Sequence, residues 1–278
     1  MQTTCEEHSR LERTANQLRR DALTALYHAG SGHPGGALSA AEVLTVLYFK
    51  EMKLRPDQPN WPDRDRFVLS KGHACPIYYA ALARRGYFDP ALLQTLRRPD
   101  SILQGHPVMG KTPGVDMSTG SLGQGLSAAA GMALYAKKKG KEFRVYCVLG
   151  DGECAEGQIW EAAMSAAHFG LNNLTAFLDA NHLQIDGTVD EVMNIYPMGE
   201  KFRAFGWNVI EVDGHSIPQL IHATQLAKSS DKPTFILCRT VKGKGVSFME
   251  NRVEWHGGTV TRDVLDRALA ELEGKERG

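Results

Sequence analysis

Apolar and small residues recur at helical spacing through the first 28 residues, at Leu11, Ala15, Leu18, Ala22 and Leu26, among charged neighbours. That period predicts one long amphipathic helix. AGSGHPGG (29–36) interrupts it with turn-forming residues. A second helix is expected over AAEVLTVLYF (40–49), with Ser39 as its N-cap. RFVLS (66–70) reads as a short buried strand that runs through the loop KGHACP (71–76) into a helix around Ile77–Arg85. Residues 97–120 carry few periodic positions and many Gly and Pro; an irregular stretch of that length in a compact domain points to function. The next helix, roughly Leu126–Lys138, is rich in Ala and Gly and is expected to pack closely on something flat.

From Phe143 the alternation is regular. FRVYCVLG, LTAFLDAN, WNVIEVDG and PTFILCRTV read as strands, separated by helices over GQIWEAAMSAAHFG, GEKFRAFG and IPQLIHATQLAKSS. Continuous apolar strands alternating with helices indicate an α/β fold, a mainly parallel, doubly wound sheet with helices on both faces. VTRDVLDRALAELEGKERG closes the chain as an amphipathic helix fading into a charged tail. With no repeat, low-complexity segment or linker, residues 1–278 are expected to form a single domain.

Composition narrows the function. The 32 basic and 32 acidic residues balance, which argues against a nucleic-acid binder. No apolar run approaches the ~20 residues of a membrane span, and the polar N-terminus does not resemble a signal peptide. Cys5, Cys75, Cys147, Cys154 and Cys238 form no CxxC pair, so reduced thiols in a cytoplasmic protein are expected and a structural zinc site is not.

In an open parallel sheet, ligands bind at the carboxyl ends of strands. Two predicted strand ends carry unusual polar residues: Gly150-Asp151-Gly152, and Asn181-His182-Leu183. Asp151 and Asn181 offer hard oxygens suited to Mg²⁺ or Ca²⁺, with diphosphate oxygens completing the shell. Gly152 permits close backbone approach to a phosphate, and the following helix would point its N-terminus there. Each feature alone is also a common turn; their pairing on one sheet edge is what favours a ligand.

GDGECAEG (150–157) followed by LDANHLQIDG (178–187) resembles the thiamine diphosphate motif. The resemblance implies that Asp151, the Asn181 side chain and the Leu183 carbonyl hold a divalent ion (Mg²⁺, with Ca²⁺ or Mn²⁺ able to substitute), which in turn holds the cofactor's diphosphate. SGHPGG (31–36), LSKGHA (69–74), QGHP (104–107), GSLGQGL (120–126) and WHG (255–257), in that order, together resemble transketolase. That likeness implies catalytic roles for four loop histidines. His33 and His256 would shuttle protons at the donor carbonyl or its hydroxyl, His106 would contact the hydroxyl of the two-carbon unit, and His73 would sit against the diphosphate and reacting carbon. Imidazole suits such transfers near neutral pH. It further implies cofactor contacts from Gly120, Ser121, Leu122, Gly152, Asn181 and Lys242, besides His73 and His256. Glu156 is either a cap of the next helix or an acid at a subunit interface. The other histidines read as ordinary surface or hydrogen-bonded residues.

In transketolases the glutamate that activates the cofactor's aminopyrimidine ring belongs to a separate pyrimidine-binding domain. The sequence stops at Gly278, soon after WHG, and leaves no room for that domain or the C-terminal one. The resemblance therefore implies a separately encoded partner chain and a heterotetramer of two plus two, acting on sugar phosphates. A relative acting on branched or sulfonated sugars, and a non-catalytic homologue, are the competing readings.

Overall fold

The computed structural model describes residues 5–274; the expected charged tail and the first four residues of the first helix lie outside them. Helix α1 (Cys5–Ala29) buries Leu11, Ala15, Leu18, Ala22 and Leu26, the stripe that its period requires. After the SGHP turn, α2 (Pro34–Ser39) and α3 (Ala41–Val46) follow, with a wider turn over Leu47–Glu51. Ser39 is thus not the expected N-cap. It ends α2, Ala40 occupies the cap position of α3 without a side-chain bond, and the Ser39 hydroxyl donates to Asp179 at 2.6 Å. Donation to a buried carboxylate makes a charge-assisted hydrogen bond, stronger than one between neutral groups.

The remaining elements follow the expected alternation: β1 (Arg66–Leu69), α4 (Cys75–Arg85), α5 (Gln124–Lys138), β2 (Val145–Gly150), α6 (Gly157–His168), β3 (Leu174–Ala180), α7 (Val189–Val192), α8 (Met198–Ala204), β4 (Asn208–Asp213), α9 (Ile217–Ser229), β5 (Thr234–Arg239) and α10 (Arg262–Gly274). The strands form one sheet in the order β1-β2-β3-β5-β4, and every pairing is parallel.

Side-chain alternation builds a core on each face. Phe67, Tyr146, Val148, Phe177 and Ile236 join the residues of α1, α3, α4, α9 and α10 on one side. Val68, Cys147, Leu149, Leu178 and Phe235 join those of α5, α6 and α8 on the other. At roughly 1.5–3 kcal/mol for each large apolar side chain removed from water, these two layers fix the strand register. Ala129, Ala133 and Ala136 present the small, fully buried face of α5 that lets it lie close on the sheet. The irregular 97–120 segment is anchored from within: Arg64 grips Asp116 through two hydrogen bonds of 2.9 and 2.6 Å, and Asp116 also accepts from Phe67 N–H at 2.9 Å. The fold thereby delivers four adjacent strand ends, those of β1, β2, β3 and β5, to one rim.

Candidate active site

Each of those strand ends contributes. Beyond β1 come Lys71 and His73, beyond β2 Asp151 and Gly152, beyond β3 Asn181 and Leu183, and beyond β5 Thr240 and Lys242. Apart from Thr240, they line a cavity of about 240 Å³ together with His33, Gly120, Leu122 and His256. Most sequence-predicted residues therefore converge. Ser121 is exposed and outside the lining, and His106 stands just beyond it.

The metal-ligand candidates are held by one another's backbone. Asp151 accepts from Gly152 N–H at 2.8 Å and His182 N–H at 2.5 Å, and Leu183 N–H donates to Asn181 Oδ1 at 3.2 Å. His182 makes this turn with a left-handed φ of 60°. The Leu183 carbonyl accepts from Lys242 Nζ at 3.2 Å. Gly152 leaves space at the mouth: a Cβ there would stand 2.9 Å from Gln184 Cγ.

Below them lies a charged floor that the motifs do not reveal. Lys71 pairs with Asp179, and their side chains are only 1% and 2% exposed. Lys71 also donates to Gly36 O at 2.8 Å, while Asp179 accepts from Ser39, Thr240 and Asn181. Burial works against the Asp179 charge, but Lys71 and these donors hold its carboxyl below the ordinary value. Glu153, also buried, accepts from Ser70, from Gly123 N–H at 2.9 Å and from Gly150 N–H at 3.0 Å, tying β1, β2 and the GSLGQGL loop together. The clue in the sequence is an aspartate inside the otherwise apolar strand LTAFLDA.

The oxygen set passes a test of fit for a hard cation. Burial first, and then the neighbouring Asp179 charge, raise the Asp151 carboxyl to about 7. Lys71 is engaged by Asp179, and among the described residues no ion pair reaches Asp151. Carboxylate, amide and carbonyl oxygens at neighbouring strand ends are the donor type that Mg²⁺ takes. Among the described residues, no three His, Cys, Asp or Glu cluster to hold a metal by themselves, which leaves this mixed oxygen set as the candidate.

The histidines form a second layer. Ring centroids lie 5.3 Å apart for His33 and His73, 5.6 Å for His33 and His256, 5.2 Å for His73 and His256, and 6.2 Å for His33 and His106. Desolvation, followed by nearby positive charge, lowers His33 and His256 to about 4, and shifts His73 and His106 downward as well. The shifts favour the neutral form of all four rings. Among the described residues, no hydrogen-bond partner reaches the buried His33 Nδ1. Lys242, expected from its position after a strand to be either a ligand contact or a surface residue, is 2% exposed. It threads past Gly35, where a Cβ would stand 2.9 Å from Lys242 Cγ, and its Nζ lies 3.0 Å from His256 Nδ1. Burial and the Lys71 charge lower its ammonium to about 8. Glu156 occupies the N-cap position of α6, yet it is exposed and its side chain makes no capping bond.

A parallel sheet with helices on both faces and a cavity at its strand ends is a doubly wound α/β fold with its ligand site in the usual place. Residues 11–273 match the family model described as "Transketolase, thiamine diphosphate binding domain". The chain belongs to that family. It is 48% identical over 269 residues to the 6-deoxy-6-sulfo-D-fructose transketolase subunit SqwG of Clostridium sp., covering 96% of this chain and 98% of that protein. It is 41% identical over 263 residues to an apulose-4-phosphate transketolase subunit of Phocaeicola vulgatus, covering 94% and 93%. Human transketolase is 45% identical over 265 residues, which are 94% of this chain but 42% of the human protein. The crystal structure of transketolase from Campylobacter jejuni superposes with a TM-score of 0.90 at 33% identity, covering 95% of this chain and 42% of that one. Among the described residues, no helix is long and apolar enough to cross a membrane.

Proposed function

We propose that this chain is the diphosphate-binding subunit of a two-chain transketolase, which moves a two-carbon ketol unit from a ketose phosphate to an aldose phosphate. The observation that carries the reading is the convergence of His33, His73 and His256 on the cavity that Asp151, Asn181 and Leu183 also line, with His106 beside His33. Asp151, the Asn181 amide oxygen and the Leu183 carbonyl would hold Mg²⁺, or Ca²⁺ or Mn²⁺ in its place. Gly120, Ser121, Leu122, Gly152, His73, Lys242 and His256 would contact thiamine diphosphate, Ser121 through its backbone. The bound cofactor supplies the carbanion chemistry that the side chains lack.

The protein's part is orientation and proton transfer. A protonated lysine can only donate, so Lys242 assigns Nδ1 of His256 as acceptor and places that ring's proton on Nε2. His256 then offers a donor to a substrate oxygen. His33, neutral and with Nδ1 unpaired, is free to take or return a proton at the donor carbonyl or its hydroxyl. His106 orients the hydroxyl of the two-carbon unit, and His73 excludes water above the diphosphate.

The partner would supply the pyrimidine-binding domain and its activating glutamate, in an assembly of two plus two chains. Support comes from the two bacterial relatives named as transketolase subunits, each matched almost end to end. Further support comes from the large apolar side chain of Ile185, exposed while it lines the cavity. A cytoplasmic setting belongs to the same proposal and rests on the five free thiols. The test is ketol transfer from a panel of ketoses by the chain reconstituted with its candidate partner, thiamine diphosphate and Mg²⁺. Cofactor binding without transfer from any ketose would refute the reading. A sulfonated or branched sugar is the second reading, favoured by the 48% identity to the sulfofructose enzyme's subunit; the same panel separates the two.

A further inference from the structure

One buried histidine lies outside the cavity and has no role in the scheme above. His215 sits in the turn between β4 and α9, and its side chain is 11% exposed. Its Nδ1 lies 2.9 Å from Glu42 Oε2, and its Nε2 accepts from Val241 N–H at 2.9 Å. Glu42 Oε2 also accepts from Arg19 Nη2 at 2.6 Å, and Arg19 Nε donates to Leu38 O at 3.1 Å. Burial opposes the Glu42 charge, but Arg19 and then His215 hold its carboxyl below the ordinary value.

The sheet explains why an imidazole stands there. The last paired residues of β4 and β5 are Asp213 and Arg239, and Gly214 N–H closes the ladder on Arg239 O at 2.8 Å. Gly214 lies tight against the departing strand: a Cβ there would stand 2.5 Å from Thr240 Cγ2. Beyond that point the His215 ring takes the Val241 N–H. The next residue is Lys242, which lines the cavity and whose Nζ meets the Leu183 carbonyl and His256 Nδ1. Gly243 and Gly245 follow with φ of 79° and 99°, so this segment has little stiffness of its own. Its neighbouring bonds are backbone ones, Gly243 N–H to Gly35 O at 3.0 Å and Asn251 N–H to Lys242 O at 2.9 Å. A backbone N–H can only donate, so His215 Nε2 is the acceptor and the ring proton sits on Nδ1, directed at Glu42. His256 carries the opposite tautomer, because Lys242 donates to its Nδ1.

We propose that His215 is a positioning residue: the Arg19–Glu42–His215 line of bonds fixes the backbone at Val241, so that Lys242 reaches His256 Nδ1 and selects the His256 tautomer. A side chain on the opposite side of Lys242 from the cavity thereby decides which nitrogen of His256 faces the sugar. The effect on turnover rests on the transketolase reading; the selection of the tautomer does not.

The test begins with nitrogen-15 spectra of the full chain labelled at histidine. Wild type should show the proton on Nδ1 of His215 and on Nε2 of His256. The reverse tautomer at either ring overturns the proposal, and this result needs no variant to fold. His215→Phe keeps the bulk of a ring and removes both hydrogen bonds, and it should convert His256 to a mixture of tautomers. His215→Gln offers an oxygen to Val241 N–H and an N–H to Glu42, so it should restore the single Nε2–H form. In the assembled enzyme, kcat of His215→Phe should fall about tenfold, less than the ~10²-fold lost with a proton-transfer group itself. KM should stay within about twofold, and His215→Gln should recover most of kcat. If His215→Phe loses stability while His256 keeps its Nε2 proton, His215 serves the fold alone and the proposal is overturned. If wild type transfers no ketol unit from any ketose while the His256 tautomer still follows residue 215, the transketolase reading fails and this one stands.

Discussion

Removing Lys71 should destabilise the fold more than any surface change, because it strands a buried carboxylate. The Lys71 and Asp179 side chains are 1% and 2% exposed, so water cannot replace the lost partner. Removing one member of a buried pair costs ~3–5 kcal/mol. The Lys71→Met variant keeps three donors on Asp179, from Ser39, Thr240 and Asn181, which places it near the lower bound, about 3 kcal/mol. For a domain of this size, that lowers Tm by roughly 6–12 °C. Asp179→Asn should cost a similar amount, leaving the buried Lys71 charge with neutral acceptors alone, the Gly36 carbonyl and an amide oxygen. The double variant removes both charges, so it should lose about 3 kcal/mol and not twice that, a coupling near the upper end of contacting pairs. Urea unfolding of the four proteins measures this directly, with an unchanged m-value as the check on two-state behaviour. Additive losses, or a single-variant loss below ~1 kcal/mol, would show that the floor is not held by this pair.

Three further outcomes are expected. Asp151→Ala should abolish Mg²⁺-dependent retention of thiamine diphosphate, seen by calorimetry; unchanged affinity would remove Asp151 from the ligand set. His33→Ala in the assembled enzyme should lower turnover by ~10²-fold while leaving cofactor affinity near wild type; equal turnover would deny His33 a proton-transfer role. His33 should also mark acid stability. Its folded value is near 4 against an ordinary 6.5, so between those values the unfolded chain binds a proton that the folded chain does not. Stability relative to His33→Asn should be flat above pH 6.5 and fall as the pH drops from 6.5 toward 4; parallel stability curves for the two proteins would contradict the shift.

The sheet was legible because its strands are apolar on both faces, so RVYCVLG, LTAFLDA and TFILCR stand out between helical periods. The histidine layer was legible because its members sit in short Gly- and Pro-rich loops at element ends. The floor was not. Ser39 stands before an apolar run, as an N-cap does, and only the tertiary approach of Asp179 redirects its hydroxyl. Lys71 and Glu153 lie inside recognised motifs, but nothing local says that one pairs with a residue 108 positions away and the other with one 83 positions away. Glu156 carries the expected chemistry for a cap and occupies the cap position, yet its side chain does not close the bond. Ser121 belongs to a loop whose flanking residues line the cavity, yet it is itself exposed and outside the lining.

The division between floor and rim has a chemical consequence. In the floor, Lys71 and Asp179 compensate each other, Glu153 accepts three hydrogen bonds although burial raises its carboxyl, and Asp151 retains a demand for a cation. The rim is different. Four imidazoles with neighbouring centroids 5.2–6.2 Å apart cannot all be charged without mutual repulsion, and burial with Lys71, Lys242 and Arg97 nearby pushes them further toward the neutral form. A neutral imidazole carries one donor and one acceptor, so each can pass a proton on without a net charge remaining in a poorly solvated cavity. Separating the two layers lets the same small space hold an anionic cofactor below and exchange protons with a sugar above. That is why a chain with balanced overall charge needs no basic surface to do so.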